Sequence, residues 1–182
     1  MVVFTFEDRW TKDFYEARIR KLWKEVTTAP TPDVWVKVLF FKDKASYWRL
    51  HDNNETLEAS KYFNSLDGIE RQHVYESSRV KGTYRCANYG GHGFYDDEWK
   101  FIQKHNHKIR HVITLRLGLA AKEDYVAALM AHEYRHYRQW KKYGAYEMNY
   151  RLNGTGKRPI QVERDANKWM RKRMEELGRK SW

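Results

Sequence analysis

Residues 123–143 read EDYVAALMAHEYRHYRQWKKY, and the reading of this stretch governs the rest of the chain. Glu123 and Asp124 open it, where negative charge favours the positive end of a helix dipole, and Gly144 follows as a C-terminal stop. One helix over about 123–143 is therefore expected. Its early part, Ala127-Ala128-Leu129-Met130-Ala131, is apolar throughout, so the helix enters a core just before it reaches His132-Glu133-Tyr134-Arg135-His136. At 3.6 residues per turn the two imidazoles stand one turn apart on the same face, a separation that lets both bind one metal ion, with Glu133 beside them. The plainer account, a polar helix face with Arg135 and Arg138 in surface ion pairs, leaves the apolar approach unexplained.

A second helix follows the glycine loop NGTGKRP: Pro159 lies near its start, Ile160, Glu163, Asn167, Met170 and Met174 recur at helical spacing, and Gly178 ends it. Glu163 lies 27 residues beyond His136, enough chain to finish one helix, cross a loop and lay another alongside. It is the candidate third ligand; as an ordinary helix residue it would pair with Arg164, Lys168 or Arg171. Asn167, one turn on, points to the same side, whereas Asp165 points away from Glu163 and reads as solvent-facing or peripheral to the site. The chain has one cysteine, Cys86, so intramolecular disulfides and cysteine zinc clusters are excluded and a metal must use His, Asp or Glu. Two histidines, one carboxylate and an open position form a catalytic rather than a structural zinc set.

Taken together, His132-Glu133-x-x-His136 and Glu163-Arg164-Asp165-Ala166-Asn167-Lys168-Trp169 resemble the zincin metallopeptidases of the gluzincin type. The likeness is to the compact phage-repressor-degrading and mobile-element-encoded proteases, whose second helix reads E-x-x-A-N-x-aromatic. This resemblance covers residues 107–177. It implies Zn²⁺ held by His132, His136 and Glu163, Glu133 as general base in peptide-bond hydrolysis, and a strand at 107–117 that flanks the cleft and aligns a peptide substrate. In larger thermolysin-like members an acidic residue four positions after the ligand glutamate orients a zinc histidine. Asn167 stands there in this chain, as in the compact group, and its amide oxygen can accept an imidazole N–H. The expected fold is α+β and zincin-like, with a small twisted mixed sheet packed on an N-terminal helix and two metal-carrying helices. By residue type, Tyr146, Tyr150, His111 and Arg164 are candidate oxyanion donors. Two other functions stay open: a basic nucleic-acid-associated or structural protein of a mobile element with an inactive zincin core, and a zinc hydrolase acting on a non-peptide amide.

The 182 residues suit a single domain, 1–182, in which residues 1–106 complete the fold around the 107–177 core. Phe14, Ile19, Leu22, Trp23 and Val26 predict an amphipathic helix to about Thr27, stopped by Pro30 and Pro32. The run 34–41 reads as a strand, with 46–50 turning back on it, 53–66 as a short helix, and 72–95 as mostly β-like with a break at Gly82. HKIRHVITLRLG (107–118) is the clearest strand, alternating Ile109, Ile113, Leu115 and Leu117 with Arg110, Thr114 and Arg116. His105, His107 and His111 read as a polar strand entrance rather than a second metal site. The 35 Lys and Arg against 24 Asp and Glu, net +11, favour anionic partners, with Arg171, Lys172, Arg173, Arg179 and Lys180 as candidate nucleic-acid contacts. The interleaved run Tyr134 to Trp140 reads either as a stacking face for nucleic acid or as core. No stretch has the length of a membrane span or a signal peptide, so a cytoplasmic, intracellular protein is expected, and a protein or peptide substrate is what the resemblance implies.

Overall fold

Segments rich in Val, Ile and Leu meet in one sheet. In the computed structural model, which describes residues 2–6, 9–40, 80–86, 96–105, 108–117, 121–153 and 158–181, four strands stand in the order β1-β2-β4-β3. They are β1 (Val3–Phe6), β2 (Val34–Phe40), β3 (Val80–Cys86) and β4 (His111–Leu117). The first two and β4 run parallel, with Val36 beside Phe4 on one side and Ile113 on the other; β3 runs antiparallel to β4, with Gly82 opposite Leu115 and Tyr84 opposite Ile113. Helices α1 (Arg9–Val26), α2 (Asp96–Lys104), α3 (Glu123–Asn153) and α4 (Arg158–Glu176) complete a mixed α and β architecture.

Alternation along the strands sorts their side chains between two cores. Val36 and Val38 of β2 with Ile113, Leu115 and Leu117 of β4 pack against Ile19, Leu22, Trp23 and Val26 of α1, Ala127 to Ala131 of α3, and Met170 and Met174 of α4. Trp35 and Val112 face the other way, onto Ile102 of α2 and Ile109, with Trp99 and Phe101 alongside. Helices lie on both sides of the sheet, and all of β4 is buried, including Thr114 and Arg116, the polar members of its alternation. The expected apolar approach to the histidines is met: Ala127, Ala128, Met130 and Ala131 are fully buried.

Several elements depart from expectation. The N-terminal helix starts at Arg9, ahead of Phe14, while β1 and α2 had no counterpart in the sequence reading. The β3 strand runs straight through Gly82 instead of breaking there. At Gly144 the backbone leaves the helix (φ 78°, ψ 171°), as a stop requires, yet helix resumes and continues to Asn153. Gly178, at φ 64°, ends α4, and Arg179 N–H donates to the Met174 carbonyl at 2.8 Å. The expected turn-back at 46–50 and helix at 53–66 lie outside the described residues. Tyr134 and Tyr137 of the aromatic run are core residues, so among these seven positions only Arg138 is exposed, and no stacking face forms there.

Candidate metal centre

The long helix α3 carries His132 and His136 on the side facing α4, and α4 brings Glu163 to meet them. His132 Nε2 and His136 Nε2 stand 3.1 Å apart, Glu163 Oε2 lies 3.3 Å from the first and Oε1 3.2 Å from the second. Ligands about 2.0 to 2.2 Å from a tetrahedral zinc are separated by roughly 3.3 to 3.6 Å, so the three separations, 3.1 to 3.3 Å, lie at or just below the edge length of a zinc coordination tetrahedron. Among the described residues this is the one group of three such side chains whose ligand atoms all lie within 4.8 Å of one another. Imidazole nitrogens and a carboxylate are the donor set zinc takes when one position stays open. Glu163 holds its carboxyl well below the ordinary carboxylate range, because His132 and His136 hydrogen-bond to it and outweigh its partial burial.

Glu133 turns from the same helix into the protein and is 4% exposed. Burial raises its pKa, against the lowering influence of His136 and His132. It lies under β3: a Cβ added to Gly82 would stand 2.7 Å from Glu133 Cγ and 2.8 Å from Cδ, closer still to Oε1. Two residues along the same strand, Tyr84 stacks between His111 and His136, with ring centroids 5.9 and 6.3 Å away.

The support of His136 comes from residues the sequence reading did not assign to it. Gln139 Oε1 is 2.8 Å from His136 Nδ1, while Gln139 Nε2 donates to the Val162 carbonyl at 3.0 Å and to Asp165 Oδ2 at 2.8 Å. Asp165 also accepts Arg135 Nε at 2.7 Å and Nη2 at 3.1 Å. Of the two places expected for Asp165, solvent or the surroundings of the site, it takes the second: it faces α3, where it meets Arg135 and Gln139 and does not itself join the three converging side chains. Asn167, expected to hydrogen-bond a ligand histidine, makes no such bond among the described contacts, and Gln139 occupies that place. The only readable signal for Gln139 was its position one helical turn beyond His136. His132 Nδ1 is buried without a partner among the described residues.

Of the four candidate oxyanion donors, Arg164 is exposed on α4, and the side chains of Tyr146 and Tyr150 lie outside the described set. His111 is buried and engaged: Nδ1 is 2.9 Å from the Tyr84 hydroxyl, and Asp33 Oδ2 stands 3.3 Å from Nε2 as an electrostatic neighbour. Asp33 in turn accepts Tyr137 Oη at 2.9 Å and Lys141 Nζ at 3.0 Å, which keep it ionised below its usual range despite burial. Loss of hydration pulls the His111 pKa down to about 4, overriding Asp33, so His111 is neutral at neutral pH.

That depression has a stability consequence. Between pH 6.5 and about 4 the unfolded imidazole binds a proton that the folded one refuses, so the His111 contribution is full above the upper value and is lost as pH falls through the window. The expected size is about 3 kcal/mol. Urea unfolding at pH 7 and pH 4 should show wild type losing about that much more than His111→Gln; equal losses in the two proteins would exclude this role for His111.

The basic residues proposed for nucleic acid divide. Arg173 donates to the Val26 carbonyl at 3.2 Å, capping α1, and Arg179 binds Glu25 at 2.8 Å and Glu123 and Asp124 at 3.0 Å. Arg171, Lys172 and Lys180 are exposed. Of the other histidines, His105 Nδ1 is bonded to the Phe101 carbonyl at 2.9 Å, and His107 lies outside the described residues. No helix of the described residues is long and apolar enough to cross a membrane. No protein-family model matches the chain, and neither a curated protein nor a solved structure is significantly similar to it.

Proposed function

We propose that the protein is a zinc-dependent metallopeptidase with a compact zincin-like core of the gluzincin type. The observation that carries this reading is the convergence of His132, His136 and Glu163 at separations of 3.1 to 3.3 Å, beside a buried carboxylate that is not one of the three. Zinc bound there supplies Lewis acidity, polarising a carbonyl oxygen and acidifying water. His132 and His136 offer Nε2 lone pairs, and Glu163 offers an ionised carboxylate whose half-exposed position leaves the outer side of the group open to solvent. Glu133 accepts a proton from the attacking water at its carboxylate and delivers it to the leaving amine; burial, by raising its affinity for that proton, suits it to both halves of the transfer. Tyr84, stacked against His136 and hydrogen-bonded to His111, walls the inner side.

The reading as a basic nucleic-acid protein gains nothing from Arg173 and Arg179, which serve internal contacts. Purified protein is expected to hold about one zinc per chain and to cleave members of a peptide library. Activity should vanish on chelation and return with zinc, and His132→Ala should lose the metal. Protein without near-stoichiometric zinc after zinc loading would sink the proposal. Zinc without peptide cleavage would transfer it to an inactive core or to hydrolysis of a non-peptide amide.

A further inference from the structure

We infer that Gln139 is the positioning residue that fixes which nitrogen His136 offers to the metal, with Val162 and Asp165 of the facing helix holding Gln139 in turn. The inference rests on the metal-site reading above and deepens it. An amide side chain can be placed with oxygen and nitrogen exchanged, but here the partners decide. One end of Gln139 faces the Val162 carbonyl at 3.0 Å and Asp165 Oδ2 at 2.8 Å. A carbonyl and a carboxylate paired with Arg135 only accept, so that end must be the NH₂ group. The other end, 2.8 Å from His136 Nδ1, is therefore the oxygen, and Nδ1 must carry a proton to donate to it. With Nδ1 protonated, the neutral ring has its lone pair on Nε2, the atom that stands 3.2 Å from Glu163 and 3.1 Å from His132 Nε2.

The same bonds register the third ligand. Val162 and Asp165 bracket Glu163 in sequence, so the contacts that orient His136 also set the turn of α4 from which Glu163 projects. Gln139 is 4% exposed and buried between the two helices, where an unpaired amide would be costly; its hydrogen bonds are consequently an all-or-none set. His132 has no equivalent, since its Nδ1 is buried without a described partner. The two histidines are thus held unequally, one by a fixed hydrogen-bond relay and one by packing.

The test uses zinc alone and needs no substrate. In zinc-loaded, ¹⁵N-labelled wild type, the His136 imidazole should show a proton on Nδ1 that exchanges slowly with solvent, and metal on Nε2. Zinc affinity measured by competition with a chelator should fall about 10- to 100-fold in Gln139→Leu. In that variant, zinc-loaded, the His136 Nδ1 proton should exchange rapidly. Wild type with metal on His136 Nδ1 would overturn the inference without any variant. A folded Gln139→Leu that binds zinc within twofold of wild type would also overturn it while leaving the metal site standing. Wild type that takes up no zinc would instead overturn the metal-site reading and this inference with it.

Discussion

Glu133→Gln is expected to keep its zinc and lose about 10³-fold in kcat/KM on a cleavable peptide. Glutamine has the shape of the residue it replaces, and Glu133 is not among the three converging ligand atoms, so the substitution removes a proton acceptor and little else. Its magnitude follows from the environment. Glu133 is 4% exposed and covered by β3, so bulk water cannot readily take over its role. The carboxylate is also costly to the fold, since burial disfavours its charge, and the neutral amide relieves that cost. The variant should therefore melt at the same temperature as wild type or higher while nearly inactive, a combination that separates lost chemistry from lost structure. Zinc content, thermal melting and hydrolysis measured on one preparation decide the matter; activity within tenfold of wild type would remove Glu133 from the mechanism.

What could be read from the chain follows the range of the interactions involved. The two histidines were legible because their relation is local: four residues along one helix fix their direction whatever surrounds them. Glu163 was legible as a carboxylate on a helix of its own, although its meeting with the histidines depends on how α3 and α4 pack. Gln139 was not, and Asp165 was legible only as a residue of the solvent or of the site's surroundings, because each is an ordinary polar helix residue until the two helices are set against each other, when one reaches His136 and the other reaches Arg135. The α2 helix had usable signals in Asp96, Asp97, Trp99 and Ile102, which the preceding turn-rich residues obscured. Strand β4 was recognised from its alternation, but alternation does not show that Thr114 and Arg116 are buried along with the apolar residues; the side of β4 that carries Val112 packs on Ile102 of α2, and that is a tertiary fact. Gly82 shows the same limit most sharply. In sequence a glycine within a β-like run weakens the strand and suggests a break. In the fold the strand continues, and the glycine answers to a side chain fifty-one positions away.

Gly82→Ala should accordingly reduce kcat/KM by about 10²-fold while zinc affinity stays near that of wild type. Gly144 needs glycine for its backbone, with φ at 78° and nothing within 4 Å of an added Cβ; Gly82 is the opposite case, with no positive φ and no room. All three atoms nearest its missing Cβ belong to Glu133. The backbone at this point is held by pairing with Leu115 on β4, whereas the glutamate side chain can rotate about its own bonds, so the side chain yields. Rotation takes the carboxylate out of line with the reacting water, and a displacement of about 1 Å at a catalytic group is enough for an effect of this size. Alanine is at least as compatible with a strand as glycine, and the overlap is with one side chain, so the variant should stay folded at an overpacking cost of about 1–3 kcal/mol. A double-mutant cycle identifies the route. If Gly82 acts by making space for Glu133, Gly82→Ala has almost no further effect once Glu133→Gln is present, because there is no longer a base to displace. Multiplicative losses in the double variant would mean that Gly82 serves the site by another path, and a Gly82→Ala protein as active as wild type would mean that Glu133 works from a position β3 does not constrain.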